Sequence, residues 1–303
     1  MRTKMSSLLL VSLFFFASCR GDESSGSGGT PNVATINDEL GQQVGDTMAS
    51  VDESGGSSGN LARAVRRTFD RWAPSELRPS PFSYLLPEAF AASCASLTTF
   101  SSCVNNVITR TFDDCTLGRG TFSGTITLTF VDDAVDDTCR MTAEGHSIAR
   151  DPEFAVTGLR GATLTVAKTG AVGQKVTRSA TAGTFAFSND GIRRTFKSPA
   201  GTTLFDFSTQ TVDPITLTGT SRLNRTLNGG TLRVTNELTG VSCDMVPTNV
   251  TYAATCNCAV SGTWEGNCTD GEIAKVEITG CGEATLTKDD RVQTVDFDRC
   301  ERI

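Results

Sequence analysis

From about Cys103 onward the chain repeats itself every second residue. In TFSGTITLTF, residues 121–130, Phe122, Ile126, Leu128 and Phe130 fall on one side. Thr121, Ser123, Thr125, Thr127 and Thr129 fall on the other. Successive side chains of a strand point to opposite faces, so this alternation predicts strands with one dry and one wet face. GATLTV, GTFAF, ITLTGTSRL and GTLRV repeat the habit. A half-wet sheet is an antiparallel one, because parallel sheets are covered on both faces. LGRG, DDAVDD, SNDG, LNGG and KDDR separate the runs and read as turns. The expectation is a mainly β protein: a long antiparallel meander of a dozen or more short strands, forming a curved sheet or a sandwich.

The period is different before the strands begin. Val33, Ile36, Leu40, Val44, Met48 and Val51 recur at three and four residues, the signature of one helical face. Gly41 and Gly45 weaken that helix, and ESGGSSGN at 53–60 ends it. Leu61, Val65, Phe69 and Trp72 line a second helix, with Asn60 placed to cap it. Its other face carries Arg63, Arg66, Arg67 and Arg71. Packing against the core is the expected use of both apolar stripes; a basic helix lying on anionic lipid is the alternative for the second. Four prolines between Ala73 and Pro87 end helical structure. Two short N-terminal helices, able to cover an open face of the sheet, therefore precede the strands. Residues 33–90 form a helical and Pro-rich segment, and 91–303 the β domain.

The chain has 303 residues, of which 38% are hydrophobic, enough for a core. Its net charge is −7. An acidic chain repels phosphate backbones, which excludes nucleic acid as the expected partner.

At the N-terminus, Arg2 and Lys4 precede an apolar run, Leu8 to Phe16, broken only by Ser12. The run is too short to span a bilayer as a helix and suits a signal peptide. Ala17 and Ser18 follow, then Cys19. This stretch resembles the lipobox of bacterial lipoproteins, with Phe16 standing where leucine is usual. The resemblance covers residues 1–19 only. It implies that 1–18 are removed and that Cys19 becomes the lipidated N-terminus. In that family an Asp after the cysteine favours inner-membrane retention; Arg20 stands there, which implies the outer membrane, facing the periplasm or the cell surface. Residues 19–32 then form a lipidated flexible tether, of which the Gly- and Ser-rich 20–32 reach at most about 45 Å.

Setting Cys19 aside leaves ten of the eleven cysteines. An even number in an exported chain reads as disulfides. Spacing leaves most pairings open, with one exception. CGEATLTKDDRVQTVDFDRC, residues 281–300, reads as strand, acidic turn, strand. A register facing Leu286 with Val295 and Ala284 with Phe297 makes one side wholly apolar, and a slip by one residue mixes the faces. That register sets Cys281 opposite Cys300, a predicted disulfide. It requires a loop wider than two residues at Asp290-Arg291, a poor pair for a tight turn.

Chemistry-bearing motifs are few. His146 is the single histidine, so a hydrolytic triad has one candidate base and no evident partners; the expectation is a solvated strand residue. The KTG at 168–170 lacks the companion motifs of penicillin-recognising enzymes, and GRGTFSG at 118–124 has the wrong spacing for a dinucleotide loop. Asp113-Asp114, Asp132-Asp133, Asp136-Asp137 and Asp289-Asp290 fall at expected turns; the four at 132–137 match no calcium-loop pattern. Cys256 and Cys258 lack a second metal-type cluster and read as disulfide cysteines. No metal, cofactor or catalytic residue is therefore expected. The sequence predicts a non-enzymatic outer-membrane lipoprotein presenting a β-rich domain for structural or partner-binding roles in the cell envelope. The alternative is a carrier of an apolar ligand or lipid between curved sheet and helices.

Overall fold

The computed structural model describes residues 33–53, 101–117, 120–131, 139–158, 160–297, 300 and 302. Among them are one helix, α1 (Val33–Glu53), and sixteen strands, all antiparallel and all in one sheet. The architecture is mainly β, and the strands form a single sheet rather than the two of a sandwich. The helix expected around Leu61 lies outside the described residues. The first one is present, and at 21 residues it is long rather than short.

The sheet begins with three long strands, β1 (Val107–Leu117), β2 (Gly120–Val131) and β3 (Ser147–Gly158). The free edge of β3 is shared. Its second half pairs with β4 (Thr163–Lys168) and its first half with β5 (Gln174–Arg178). β4 and β5 are thus two pieces of one rung, interrupted at 169–173. The split continues across the sheet. β6 (Thr184–Asn189) pairs with β5, and β7 (Ile192–Lys197) with β4. β8 (Thr203–Asp213) pairs with β7, and β9 (Ile215–Thr218) with β6. β10 (Thr226–Asn228) pairs with β9, and β11 (Thr231–Asn236) with β8. At β12 (Ser242–Tyr252) the halves rejoin, since one long strand pairs with both β11 and β10. The meander then ends in β13 (Ala259–Cys268), β14 (Ile273–Gly280), β15 (Glu283–Lys288) and β16 (Arg291–Asp296).

A crease therefore crosses the sheet. Two expected turns lie on it: SNDG at 188–191 and LNGG at 227–230 do not reverse the chain but kink it between collinear strands. Gly230, at φ 70°, lies against the Pro214 carbonyl of the next rung, where a Cβ would collide. Buried polar groups that the kinks free from the ladder find partners at the crease, as burial requires. Asn189 Nδ2 donates to Thr209 Oγ1 at 2.9 Å, and Gly191 N donates to Asn189 Oδ1 at 2.9 Å. Asp151 accepts from Lys168 Nζ at 2.8 Å and from Gly173 N at 2.7 Å.

One face of the sheet carries the core: Phe122, Val156, Phe187, Phe196, Phe205, Ile215, Leu232, Met245, Trp264, Val276 and Leu286 among others. The other face is hydroxyl and ion pair. Thr218 and Thr226 are in contact across β9 and β10, and Thr251 and Ser261 across β12 and β13. Arg193 grips Asp206 through two hydrogen bonds, and Arg233 grips Asp244 likewise. The alternation read from the sequence is this division into two faces.

Asp113-Asp114 forms a bulge inside β1 rather than a turn. Asp289-Asp290 is a turn, but a two-residue one, with both residues left-handed at φ 54° and 57°. Asp tolerates that conformation better than most residues, through its short polar side chain. The tight tip sets Ala284 against Val295 and Leu286 against Gln293. The β15–β16 register is thus two residues from the expected one, and Phe297, whose N–H still donates to the Gly282 carbonyl at 2.8 Å, carries its ring into the core.

Candidate functional site

The sheet's inner face is occupied by its own helix. Every residue from Glu39 to Ala49 is buried, polar ones included. A helix on an open surface keeps its polar stripe in water; α1 is enclosed because it touches strands far apart in the sheet. On one side it packs on β15 and β16. There the two glycines have a use that their helix propensity hides. A Cβ on Gly41 would lie 3.0 Å from Val295 Cγ1, and a Cβ on Gly45 would lie 2.7 Å from the Phe297 ring. The bare backbone lets the helix sit directly on those side chains. Gln42 Nε2 donates to the Asp296 carbonyl at 2.6 Å. Near the other end, Tyr252 of β12 donates its hydroxyl to the Met48 carbonyl at 3.0 Å.

From another strand, Arg194 of β7 forms an ion pair with Asp46, both largely shielded from solvent. Arg194 falls in the strand's inward register, with Ile192 and Phe196. It is a cation facing the core, matched to a carboxylate on the helix. The remaining polar face of α1 is satisfied partly within itself: Gln43 Nε2 donates to Glu39 Oε1 at 2.7 Å, and Thr47 Oγ1 to the Gln43 carbonyl at 2.9 Å.

One disulfide forms the floor beneath Gly45. Cys258–Cys300 places both sulfurs against the Gly45 carbonyl, at 4.0 and 3.9 Å. Disulfide sulfurs carry no proton, so these are packing contacts rather than hydrogen bonds. Cys256–Cys281 lies next to it in sequence. The expected Cys281–Cys300 bond is therefore replaced. Both residues are oxidised, but each is joined to one end of the Cys256-Asn257-Cys258 segment. The physical reason is the hairpin register: the tight turn at Asp289-Asp290 leaves Cys300 past the paired part of β16, free to reach Cys258. Cys256 and Cys258 are disulfide cysteines, as read from the sequence. Cys103–Cys139 and Cys243–Cys268 are also bonded, and Cys115 is disulfide-bonded as well.

His146 is buried rather than solvated. Its Nδ1 faces the backbone amides of Thr142 and Ala143, both at 3.3 Å, so the ring closes the turn that enters β3. Sequence reasoning missed that role, as it missed Asp46, Arg194 and the contact of Phe297 with the helix. Cys19 and the acidic stretch at 132–137 lie outside the described residues. Among the described residues, no group of three His, Cys, Asp or Glu is placed to hold a metal ion, and no helix is long and apolar enough to cross a membrane. No family model matches this chain, and no curated protein or solved structure is significantly similar to it.

Proposed function

We propose that this chain is a non-enzymatic, lipid-anchored protein of the bacterial outer membrane, held by Cys19 and presenting a disulfide-stapled β domain to a partner in the cell envelope. The observation that carries the reading is the state of the cysteines. All nine that fall among the described residues are in disulfides. Such a set forms and persists in an oxidising compartment such as the periplasm or cell surface. The signal-like residues 1–18 and the Gly/Ser tether agree with export. The hydroxyl and ion-pair face of the sheet is the surface offered to a partner, and the buried His146 serves a turn. Expression of the full chain in a Gram-negative host, followed by separation of the membranes, tests this. Wild type belongs in the outer-membrane fraction and Cys19→Ser in the soluble or unprocessed pool. Identical processing and fractionation of the two would defeat the reading.

A second reading, a carrier of an apolar ligand, is favoured by one observation. The sheet's core face is apolar, yet what packs on it is a helix with no cysteine to bond it to the sheet.

A further inference from the structure

The Asp46–Arg194 pair is the least economical contact in the α1 seat. Two charges withdrawn from water attract strongly, but the loss of hydration offsets much of the gain, and a well-packed apolar pair would do as well or better. The pair is nevertheless largely shielded from solvent, one member on the sheet and the other on the helix. The same asymmetry runs through the whole seat. The sheet side is cross-linked by Cys243–Cys268, Cys256–Cys281 and Cys258–Cys300. The helix side has no covalent link to the sheet, and five of its eleven enclosed residues are polar: Glu39, Gln42, Gln43, Asp46 and Thr47. Once released, α1 is an amphipathic helix whose polar stripe water can solvate. The sheet keeps its staples.

Seen from the sheet, α1 is an apolar body with an anionic group set against Arg194. Leu40, Val44 and Met48 supply the body and Asp46 the charge. We propose that α1 is a displaceable plug that imitates an anionic amphiphile, and that its seat takes an acyl chain with a carboxylate or phosphate head when the helix leaves. Arg194 exchanges the Asp46 carboxylate for the ligand's head, and Val295, Phe297 and Tyr252 exchange helix for acyl chain. No bond is made or broken. The proposal deepens the carrier reading and rests on it; the lipid anchor at Cys19 is independent of it.

Hydrogen exchange on the full chain tests the proposal, with oleate, dodecyl phosphate and dodecyl maltoside as probes. Oleate and dodecyl phosphate are expected to bind and to speed exchange of the α1 amides at 39–49 by at least about tenfold, while amides of β12–β15 keep their rates. Arg194→Gln also loosens the plug, so its effect is read relative to dodecyl maltoside: against that neutral probe, both anionic probes should weaken by at least about tenfold, the value of one charge-assisted hydrogen bond. Gly45→Ala, which loosens the plug, should tighten oleate binding, because less of the binding-competent state must be generated by the ligand. Oleate bound with α1 exchange unaltered would overturn the displacement and leave the carrier reading standing. No binding by any probe would overturn both. An anionic affinity untouched by Arg194→Gln would overturn the role given to that residue and with it the imitation.

Discussion

Gly45 of α1 and Phe297, just beyond β16, are so close that a Cβ on the glycine would lie 2.7 Å from the ring. This contact decides the sign of a familiar substitution. In an exposed helix Gly→Ala stabilises by about 1 kcal/mol. Here Gly45→Ala should destabilise by about 1–2 kcal/mol net, because overpacking a closed site costs about 1–3 kcal/mol. Gly41→Ala, where Val295 stands at 3.0 Å, should cost less. Urea midpoints of the two variants against wild type check the pair, and a Gly45→Ala protein more stable than wild type would show that the ring yields.

Asp46 and Arg194 should behave as a pair in a double-mutant cycle. Asp46→Ala removes the carboxylate that the helix sets against the shielded Arg194 cation and should cost about 3–5 kcal/mol. The double variant Asp46→Leu, Arg194→Met should recover most of that loss, because both desolvated charges are gone. Additive single effects would mean that the two side chains do not act on one another.

Much of this architecture was legible in the alternation of residues, and the part that was not has a common cause. Period two assigns faces, and it did so for β2, β4 and β15. Period three-and-four found α1. Neither pattern carries information about which residues lie opposite each other. A slip of two residues preserves the faces, so the apolar sides of β15 and β16 fit two registers equally, and the Asp289-Asp290 turn chose the one that separates Cys281 from Cys300. Gly, Asn and Asp look alike at a reversal and at a kink, which hid the crease at 188–191 and 227–230. Gly41 and Gly45 looked like helix breakers because the ring and the valine that need them lie some 250 residues away. Nothing local marks Arg194, because its partner Asp46 is on another element.

The Arg233–Asp244 pair predicts a small acid-labile increment of stability. The hydrogen bonds from Arg233 hold the Asp244 carboxyl below the ordinary value of 3.8. A lowered folded-state value means stability that is present above the ordinary one and lost as pH falls through the folded one. Each side chain is 39% exposed, so solvent screening keeps the increment under about 1 kcal/mol. Arg233→Ala should be less stable than wild type at neutral pH and should converge with it below about pH 4. Denaturation midpoints across that range check it; a gap that widens on acidification has the wrong sign.

Cys258–Cys300 should matter both globally and locally. It joins residues 42 apart, for which chain entropy alone gives roughly 4 kcal/mol. The double variant Cys258→Ser, Cys300→Ser should lose about that much, and the α1 amides, seated on these sulfurs, should lose protection ahead of β7 and β8. Equal loss of protection in all three elements would mean that the bond supports the sheet alone.

Whether Cys19 carries lipid is decided by one peptide map. Among the described residues, eight cysteines pair with each other, and the ninth, Cys115, is bonded to a tenth. The eleven cysteines of the chain leave only Cys19 and Cys94 for that role. A lipidated Cys19 cannot form a disulfide, so the account assigns Cys94 to Cys115. Non-reducing digestion and mass spectrometry of the protein extracted from membranes should yield a Cys94–Cys115 peptide and an acylated N-terminal peptide beginning at Cys19. A peptide joining Cys19 to Cys115, or an unmodified chain running through residue 19, would contradict the claim.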